Sequence, residues 1–532
     1  MERVLVANRG EIALRVFRAC AEEGIATVAV VAPDDRGSLH ARSADATVEI
    51  ASYLDAREHV RAALASGADA VHPGYGFLAE SAALAEAVLA AGLTWIGPPP
   101  AALRAGGDKL AAKEAARAAG VPVLPTGDVG LPLVVKAAAG GGGRGMRIVR
   151  SAGELDDAVE AARREAQAAF GDETVFFERY LDRPRHVEIQ LLADAHGTVL
   201  ALGERDCSIQ RRHQKVLEEA PAVPAPLRAA MSEAAIAFAR AIGYAGAGTA
   251  EFVLDGDAFF FLELNARIQV EHPVTELVAG VDLVRAQLAI ARGERLDLDV
   301  ALTGHAVEAR LYAEDPRTFL PQTGRVERLV LPAGIRVDTG VAEGDEVGTS
   351  YDPMIAKLVA HAPTRAEALD RLSAALHATV VEGVTTNLPF LRWLVDHPIV
   401  RSGEATTAFL TEHPPLSRPA PARAPWNLPW RLNLPSPPPA PPPGGDAAPG
   451  RAQGASTLTA PMPGTVIKVL VAGGDRVAAR QPLVVLEAMK METPLTSPYD
   501  ATVRAVHVRE GDSVAGGTLL VELEESLGSA HG

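Results

Sequence analysis

The seven lysines are the residues whose side-chain type points most directly to chemistry. Lysine and arginine together number 51, and arginine fills all but seven of those positions. Both side chains are cationic, but only lysine offers a compact primary amine that can be acylated. Each lysine is therefore a candidate for a position where the amine itself is needed. The seven are Lys109, Lys113, Lys136, Lys215, Lys357, Lys468 and Lys490.

Lys490 lies between two copies of one sequence unit. Residues 464–487 align without gaps on residues 501–524, and twelve of the 24 positions are identical. Both copies alternate apolar residues and contain a Gly-Asp turn signal, which predicts two related β-units in a flattened barrel or sandwich. We expect the turn between the two halves to display Lys490, with Met489 and Met491 beside it, to solvent.

Lys136 introduces a glycine-rich segment. It follows the apolar run 133–135, and glycine occupies residues 140–143. A strand that leads into a run of glycines lets backbone N–H groups approach phosphate oxygens, with Lys136 as a point charge. The segment is not a Walker loop, because no Gly-Lys-Ser/Thr follows. A flexible loop without a ligand is the alternative.

Residues 248–265 predict a β-hairpin with acidic side chains on one face. With a three-residue loop at 255–257, Glu251 pairs with Phe261 and shares a face with Glu263 and Asn265. A carboxylate inside an apolar strand is costly unless it is paired or coordinated. Two carboxylates and an amide oxygen are hard ligands that suit Mg²⁺. Ion pairs with neighbouring arginines are the alternative.

Two further segments concentrate polar side chains. Residues 204–215 are rich in arginine and end at Lys215, and in an acidic protein such a concentration favours an anion site over a solvated face. Residues 267–272 follow the hairpin and contain Arg, Gln, Glu and His outside any periodic pattern. Cys207 is expected to be a small buried residue rather than a nucleophile, because no Cys/His pair is evident nearby in the sequence.

These residues need elements of several kinds to position them. Alternating strands and helices open the chain and predict a βαβ pattern with a parallel sheet. Aromatic and β-branched runs across residues 174–264 predict an antiparallel or mixed sheet, and residues 319–412 predict a further α+β portion. The first predicted strands are 4–7 and 27–31, and the first predicted helices are 11–23 and 79–91.

A proline-rich segment separates a large N-terminal unit from a small C-terminal one. Fourteen of the 36 residues in 414–449 are proline. This composition excludes a helix or a central strand and predicts an extended, semi-rigid linker. At about 3.1 Å per residue, roughly 40 residues reach on the order of 100 Å.

Charge and composition narrow the functional classes. A net charge of −16 argues against duplex DNA or an anionic membrane surface as a partner. The sequence contains no run of 18 apolar residues, so we predict no membrane span. The N-terminus lacks the basic and apolar regions of a signal peptide. The two cysteines, Cys20 and Cys207, cannot form a disulfide framework, which predicts a reducing, cytoplasmic location.

With these motifs in place, the first 413 or so residues resemble the biotin carboxylase family of ATP-grasp enzymes, and the tail resembles a biotin carboxyl carrier domain. Residues 488–491, Ala-Met-Lys-Met, are similar to the biotin attachment sequence, whereas lipoyl domains usually lack the methionines. The other matching segments are 7–13 (ANRGEIA), 72–78 (HPGYGFL), 107–109 (GDK), 185–190 (RHVEIQ), 267–276 (RIQVEHPVTE) and 308–310 (EAR).

The resemblance implies a fold class and a division into domains. The N-terminal domain is expected to be α/β, the ATP-grasp and C-terminal portions of the carboxylase α+β, and the tail an all-β flattened barrel of the biotinyl type. The expected segments are 1–112 (N-terminal carboxylase domain), 113–318 (ATP-grasp domain), 319–412 (C-terminal carboxylase domain), 413–455 (linker) and 456–526 (carrier domain).

The resemblance also implies a role for each candidate residue. The implied metal ligands for Mg²⁺ or Mn²⁺ are Glu251, Glu263 and Asn265, and the implied biotin attachment site is Lys490. Bicarbonate is expected at Lys215, Arg267, Gln269 and the Val270 backbone, with Glu271 as general base and Arg310 stabilising the biotin enolate. The implied ATP-binding residues are Lys109, Lys136, Gly142, Gly143, Glu178, Arg179, Tyr180, Leu181, His186 and His213.

The implied reaction is ATP-dependent carboxylation of biotin on Lys490, with ATP and bicarbonate as substrates. The implied partners are a separate carboxyltransferase β-subunit, a biotin protein ligase and a second carboxylase copy, with neither nucleic acid nor membrane. The final acceptor stays open among acetyl-CoA, propionyl-CoA, another acyl-CoA and pyruvate. A subunit of a two-chain pyruvate carboxylase, a non-catalytic biotinyl carrier or scaffold, and a ligase for another carboxylate with a lipoyl-like tail are the alternatives.

Three features depart from the family pattern. The segment 125–131 is short and lacks a helix before the glycine loop. Arg179 stands where relatives commonly have lysine. The linker is too short to contain the folded domain with which acyl-CoA carboxylase α-subunits often bind their partner.

Overall fold

The computed structural model describes residues 1–138, 146–211, 214–416, 456–460, 464–478, 481–488, 491–514 and 517–525. The chain divides into two compact units. The larger unit comprises Met1–Tyr312, Arg325–Glu346 and Met354–Ser417, and the smaller unit includes the C-terminal strands. No helix in the described part of the chain has the length and apolar character needed to cross a membrane.

A parallel five-stranded sheet forms the N-terminal part, which confirms the predicted βαβ pattern. The strands are β1 (Arg3–Val6), β2 (Ala26–Val31), β3 (Ala46–Glu49), β4 (Ala70–His72) and β5 (Thr94–Trp95). The helices are α1 (Gly10–Glu22), α2 (Leu39–Ser43), α3 (Ala56–Ser66), α4 (Ala82–Ala90), α5 (Pro100–Gly107) and α6 (Lys109–Ala118). The strand order is β3-β2-β1-β4-β5.

Helix α1 shows why this sheet forms. Its buried residues include Ile12, Val16 and Phe17, whose helical spacing gives one apolar face that packs in the same buried cluster as Val4 and Val6 of β1. Helix α4 begins three residues later than the predicted 79–91 helix, because the Ser81 side chain accepts a hydrogen bond from the Leu84 N–H and caps its N-terminus.

The middle of the chain combines a small sheet with a long antiparallel one. The small sheet has the order β7-β6-β8 and packs against α7, where β6 is Leu133–Ala137, β7 is Arg147–Val149, β8 is Val175–Arg179 and α7 is Leu155–Phe170. The strands that follow are β9 (Arg185–Ala193), β10 (Val199–Arg211), β11 (Gln214–Ala220), β12 (Gly246–Asp255), β13 (Ala258–Asn265) and β14 (His305–Tyr312). The helices are α8 (Ala225–Ala241), α9 (His272–Ala279) and α10 (Leu283–Ala291).

The C-terminal part of the carboxylase-like region adds two strands to the long sheet. Its strands are β15 (Gly324–Arg325), β16 (Arg328–Val330), β17 (Arg336–Thr339), β18 (Glu346–Val347), β19 (Met354–Ala362) and β20 (Val380–Glu382). Its helices are α11 (Arg365–Ala378), α12 (Leu388–Val395), α13 (Pro398–Ser402) and α14 (Phe409–Glu412). The long sheet has the order β13-β12-β9-β10-β11-β14-β19-β17, so it continues across the predicted boundary between residues 318 and 319.

The hairpin of β12 and β13 corrects the predicted register. Asp255 pairs with Ala258, so the loop has two residues rather than three, and Phe252 pairs with Phe261. An irregularity between Glu251 and Phe252 then shifts the register, and Glu251 pairs with Glu263 instead of Phe261. The extra residue in β13 therefore places the two carboxylates directly opposite each other.

The C-terminal strands repeat with the period seen in the sequence. They are β21 (Ser456–Thr459), β22 (Gly464–Val469), β23 (Arg476–Val477), β24 (Pro482–Ala488), β25 (Met491–Thr496), β26 (Ala501–Val506), β27 (Ser513–Val514) and β28 (Leu519–Glu525). The two sheets, β21-β28-β26-β23 and β25-β24-β22-β27, each take one strand from the other repeat. Their apolar side chains share one buried cluster, which confirms the all-β sandwich.

The turn signals of the repeat are also equivalent. Gly474 and Gly511 both have positive φ, 96° and 92°, which glycine adopts without a steric penalty. The Gly474 N–H donates to the Val503 carbonyl and the Gly511 N–H to the Val466 carbonyl, both at 2.7 Å. Each repeat therefore closes its turn on the other repeat.

Candidate active site

The predicted metal ligands lie together at the β12–β13 pair. Because Glu251 and Glu263 are cross-strand partners, their side chains project from one face of the sheet. The Asn265 side-chain amide donates to Glu251 Oε1 at 2.8 Å, and His186 Nε2 lies 2.9 Å from Glu251 Oε2. Lys109 Nζ is 4.0 Å from Glu263 Oε2. The three predicted metal ligands thus lie together, with Lys109 and His186 beside them.

The two carboxylates differ in their proton affinity. Burial disfavours the charge on Glu251, but Lys215 and His186 outweigh it and hold the pKa of this carboxyl well below its usual range. Burial and then the negative charge of Glu251 raise the pKa of Glu263. A divalent cation between the carboxylates would remove this repulsion, so the donor set fits a hard metal ion.

Lys215 is the centre of a group of three buried carboxylates, called here the Lys215 cluster. Its amine donates to Glu188 Oε2, to Glu251 Oε1 at 2.9 Å and to Glu271 Oε1 at 2.6 Å. These carboxylates outweigh the cost of burial and raise the pKa of Lys215 well above its usual value. The Lys215 cluster therefore connects a predicted metal ligand directly to the predicted general base.

Glu271 is held from a second side by Arg310. Arg310 Nη2 lies 2.9 Å from Glu271 Oε2 and also contacts Glu218 Oε1. Lys215 and Arg310 outweigh burial and hold the pKa of Glu271 well below its usual range, whereas burial raises the pKa of Glu218 to about 7. Glu271 is therefore ionised and fixed in orientation, which a proton acceptor requires.

The predicted bicarbonate residues adjoin the metal ligands. Arg267 Nη2 donates to Asn265 Oδ1 at 3.1 Å, Arg267 Nη1 donates to Gln269 Oε1 at 3.3 Å, and Gln269 Nε2 donates to Glu251 Oε1 at 3.2 Å. Arg267 also forms an ion pair with Glu80 at 3.2 Å. The guanidinium fork is therefore positioned beside the carboxamide by contacts on both sides, an arrangement suited to a planar anion.

A cluster of cations surrounds Glu178. Its Oε1 lies 2.5 Å from Lys113 Nζ, and its Oε2 accepts a hydrogen bond from Lys136. Burial opposes ionisation of Glu178, but the two lysines lower the pKa of its carboxyl. Burial lowers the pKa of Lys109 and of Lys113. Three buried or half-buried amines in one region suit the triphosphate of a nucleotide.

A cavity of about 430 Å³ lies beside β8. Its lining includes Arg179, Tyr180 and Leu181, three of the predicted ATP-binding residues, together with Leu131 and Pro132. The short segment 125–131 runs next to β8, where the Arg179 N–H donates to the Pro125 carbonyl at 3.1 Å. Arg179 itself is exposed, whereas Glu178 before it is completely buried.

Four predicted site residues lie outside the described part of the chain. They are Gly142, Gly143, His213 and Lys490. Their roles stay predictions from the sequence. The described strands on either side of Lys490 pair with each other, since Ala488 is the partner of Met491.

Several residues of the site were missed by the sequence reasoning. Glu188 contacts both Lys215 and Arg205, with 2.6 Å between its Oε1 and Arg205 Nε. The sequence does mark Glu188 as a buried charge that needs a partner, because it is a carboxylate between the apolar residues Val187 and Ile189 of β9. Lys113 had a signal too, since it lies four residues after Lys109 on the same face of α6. The role of Glu80 had no such signal.

Four family models together match most of the chain, and residues 413–455 form the longest stretch that they leave unmatched. The matching models are the biotin carboxylase N-terminal domain (residues 1–103), the carbamoyl-phosphate synthase L chain ATP-binding domain (108–299), the biotin carboxylase C-terminal domain (308–412) and the biotin-requiring enzyme model (456–523).

Curated relatives and a solved structure show the same similarity. The propionyl-CoA carboxylase alpha chain of Ruegeria pomeroyi is 46% identical over 463 residues, covering 78% of this chain and 68% of the relative. The biotin carboxylase of Halalkalibacterium halodurans is 46% identical over 441 residues, covering 77% and 98%. The biotin carboxylase domain dimer of Hydrogenobacter thermophilus 2-oxoglutarate carboxylase, solved with MgADP, ADP and bicarbonate, has a TM-score of 0.76 at 43% identity and covers 78% and 98%.

Proposed function

The chain belongs to the biotin carboxylase family, and from that premise we propose which of its residues perform each part of the reaction. The enzyme is an ATP-dependent biotin carboxylase whose chain also contains a biotin-type carrier domain. The observation that supports the assignment most strongly is the Lys215 cluster, because one amine joins Glu251 to Glu271.

We assign ATP to the cations around Glu178 and to the cavity beside β8. Lys109 and Lys136 would bind phosphate oxygens, while Tyr180 and Leu181 would contact the base through the cavity that they line. The remaining proposed ATP contacts are Gly142, Gly143, Glu178, Arg179, His186 and His213.

Glu251, Glu263 and Asn265 would hold Mg²⁺ or Mn²⁺. The hard oxygen donors and the repulsion between two opposed carboxylates support this assignment. When bound, the cation supplies positive charge that offsets the charge of the ATP phosphates. Asn265 also contacts Arg267, so the same residue borders the metal and bicarbonate positions.

The first step joins bicarbonate to the γ-phosphate of ATP. An oxygen of bicarbonate attacks the γ-phosphorus, the bond to the bridging oxygen breaks, and ADP leaves with that electron pair. Arg267, Gln269, Lys215 and the Val270 backbone would orient the anion, and the ionised Glu271 would accept its proton. The product is carboxyphosphate, and excluding water from it limits wasteful hydrolysis.

The second step transfers the carboxyl group to biotin. When carboxyphosphate breaks down to CO₂ and phosphate, biotin would supply its N1′ as the nucleophile for the carbon of CO₂, and the released phosphate would accept the N1′ proton. Arg310 would stabilise the negative charge of the enolate form of biotin, and its ion pair with Glu271, the proposed base, supports this role. Biotin would be joined to Lys490 as an amide.

We propose the same partners as the sequence predicts. A separate carboxyltransferase would receive the carboxyl group, a biotin protein ligase would modify Lys490, and a second copy of the chain would form a carboxylase dimer. The similarity to a propionyl-CoA carboxylase alpha chain supports an acyl-CoA as the final acceptor. The two unpaired cysteines support a cytoplasmic location.

The assay that tests this function measures ATP cleavage with bicarbonate and free biotin, alongside an avidin blot of the chain. We expect ADP release to need bicarbonate and to rise with biotin, and we expect an avidin signal. ATP cleavage without bicarbonate dependence would indicate a ligase for another carboxylate. No ATP turnover under any condition, with an avidin signal present, would indicate a non-catalytic carrier.

A further inference from the structure

Lys357 is a completely buried lysine to which the sequence assigns no role. It lies in β19, and its side chain is 0% exposed. Its Nζ donates to the Val270 carbonyl oxygen at 2.9 Å and lies 3.1 Å from Glu11 Oε1 and 3.9 Å from Asp338 Oδ2. Burying an ammonium costs several kcal/mol even when it is paired, so an apolar residue of similar volume would serve packing at least as well.

Lys357 and Arg310 approach one loop from adjacent strands. They are direct cross-strand partners on β19 and β14, so both side chains leave the same face of the sheet. Arg310 contacts the Glu271 carboxylate at 2.9 Å, while Lys357 contacts the carbonyl of the preceding residue, Val270, also at 2.9 Å. Two cations therefore hold consecutive residues of the predicted bicarbonate loop, one through a side chain and one through the backbone.

The bond to Val270 fixes the orientation of a peptide plane. In a trans peptide the carbonyl of Val270 and the N–H of Glu271 point in opposite directions. A carbonyl oxygen that rotated toward a bound bicarbonate would repel it, since both are negative. By holding this oxygen, Lys357 fixes the plane from which the Glu271 side chain departs.

One counter-charge of Lys357, Glu11, comes from a segment that has no place among the assigned ligands. Glu11 lies in the first turn of α1, and its Oε1 accepts a hydrogen bond from the Tyr75 hydroxyl. The Asn8 amide donates to the carbonyls of Pro73 at 2.8 Å and Tyr75 at 2.7 Å. The sequence segments 7–13 and 72–78 are thus joined to each other, and Glu11 of the first segment contacts Lys357.

Asp338 completes the set from β17. Arg336 Nη2 lies 2.8 Å from its Oδ2, and Asp338 is almost completely buried. The ammonium therefore links three parts of the larger unit: the start of α1, the loop before α9 and the β17–β19 pair. Because Lys357, Glu11 and Asp338 are buried, salt screens their ion pairs much less than it screens surface pairs.

We propose that Lys357 is a positioning residue for the bicarbonate step: with Glu11 and Asp338 as counter-ions, it holds the Val270 carbonyl so that residues 267–271 keep the conformation that receives bicarbonate. This inference rests on the proposed function. It assigns the first two N-terminal motifs, residues 7–13 and 72–78, a task in the same reaction.

The test compares Lys357→Met with Lys468→Met, the same change at an exposed lysine of the sandwich. Rates of ATP cleavage by the full chain with free biotin are measured against bicarbonate at saturating ATP and against ATP at saturating bicarbonate. We expect Lys357→Met to lower kcat/KM for bicarbonate by about tenfold to a hundredfold, because a misplacement of about 1 Å has effects of that size. The KM for ATP should change less than about twofold, and Lys468→Met should match the wild type.

The possible outcomes separate this inference from the function on which it rests. A wild-type chain without bicarbonate-dependent cleavage refutes the proposed function. If the wild type shows bicarbonate-dependent cleavage but Lys357→Met has an unchanged kcat/KM for bicarbonate, the positioning role alone is overturned. The same holds if Lys357→Met loses kcat/KM equally for ATP and for bicarbonate. If Lys357→Met does not fold, the double variant Lys357→Met with Glu11→Gln removes the unbalanced charge and is judged in the same way. If neither variant shows a cooperative unfolding transition, the lysine is structural and the inference is wrong.

Discussion

The larger unit buries many charged side chains besides its apolar ones, whereas the core of the C-terminal sandwich is apolar. Glu188, Glu271 and Arg205 are 0% exposed in the larger unit. Among the described residues of 456–525, Ser497 is the only buried polar side chain. The larger unit therefore stabilises buried charges by pairing them, at a cost in desolvation, and the sandwich is stabilised by its apolar core.

The two parts of the chain therefore differ in whether activity and stability depend on the same contacts. In the larger unit, the groups proposed for chemistry are the same groups that satisfy one another's charge, so activity and local stability depend on the same contacts. In the sandwich, the core is formed by apolar residues and the proposed attachment residue is a lysine, Lys490, so attachment and stability can be changed separately.

The largest effect is expected from Lys490→Arg. Arginine has no acylatable primary amine, so attachment of biotin should be lost completely while ATP cleavage with free biotin is retained. An avidin blot and the ATP assay measure the two results, with Lys468→Arg as the control that keeps its avidin signal. An avidin signal that persists in Lys490→Arg would place biotin on another residue.

The next largest effect is expected from Glu271→Gln in the Lys215 cluster. Loss of the proton acceptor should lower kcat for bicarbonate-dependent ATP cleavage by about a hundredfold or more. Binding of ATP, measured by calorimetry, should stay within about twofold because Glu271 does not border the Glu178 cations. The matched change at an exposed position, Glu524→Gln in the sandwich, should leave the rate unchanged. A Glu271→Gln enzyme with a normal rate would exclude this residue as the base.

Leu486→Ala should affect stability and leave the chemistry unchanged. Leu486 is 0% exposed in the sandwich core, so its truncation should lower the free energy of unfolding of the sandwich by about 2–5 kcal/mol. Leu470→Ala is the control, because Leu470 is 50% exposed and surface changes stay within about 0.5 kcal/mol. ATP cleavage with free biotin should equal the wild-type rate in both variants. A lower rate in Leu486→Ala would show that the two units are not independent.

The smallest effect is expected from mild acid, which should destabilise the larger unit. Burial lowers the pKa of His72 from 6.5 to about 4, and its Nδ1 accepts a hydrogen bond from the Gly74 N–H. As the pH falls, the unfolded chain therefore binds this proton first. The stability contributed by His72 is complete above pH 6.5 and is lost as the pH approaches 4.

Thermal unfolding of the full chain at pH 7.5 and pH 5 measures this loss. For His72 we expect the free energy of unfolding to be about 2 kcal/mol lower at pH 5 than at pH 7.5. The larger unit contains a second such group, because burial also lowers the pKa of His40 to about 4. His72→Gln should remove the part of the pH dependence of unfolding that His72 contributes. If the pH dependence of unfolding is unchanged in this variant, His72 is not one of the groups responsible.

The sequence predicted local structure and the residue types of the site well. The βαβ start, the two-repeat sandwich and the placement of Glu251 and Glu263 on one face of a hairpin all follow from alternation, turn signals and short-range spacing. The exact hairpin register did not, because one additional residue in β13 changes the partner of Glu251 from Phe261 to Glu263. Short-range patterns contain no signal for such an irregularity.

Contacts between strands that lie far apart in the sequence also could not be predicted. Glu188 and Lys357 stand in runs that are otherwise apolar, and this alone marks them as buried charges that need partners. Glu188 pairs with Lys215 on β11 and Arg205 on β10. Lys357 contacts Val270, Glu11 and Asp338. The pairing depends on the order of strands in the eight-stranded sheet, which no local pattern specifies.

The most direct test of the account follows ¹⁴C from bicarbonate to the biotin of the chain itself. The biotinylated full chain is incubated with labelled bicarbonate, ATP and Mg²⁺, and acid-labile label on the protein is counted after rapid gel filtration. The account predicts label that requires ATP and is absent in Lys490→Arg. Bicarbonate-dependent ATP cleavage by a biotinylated chain that never acquires label would contradict it.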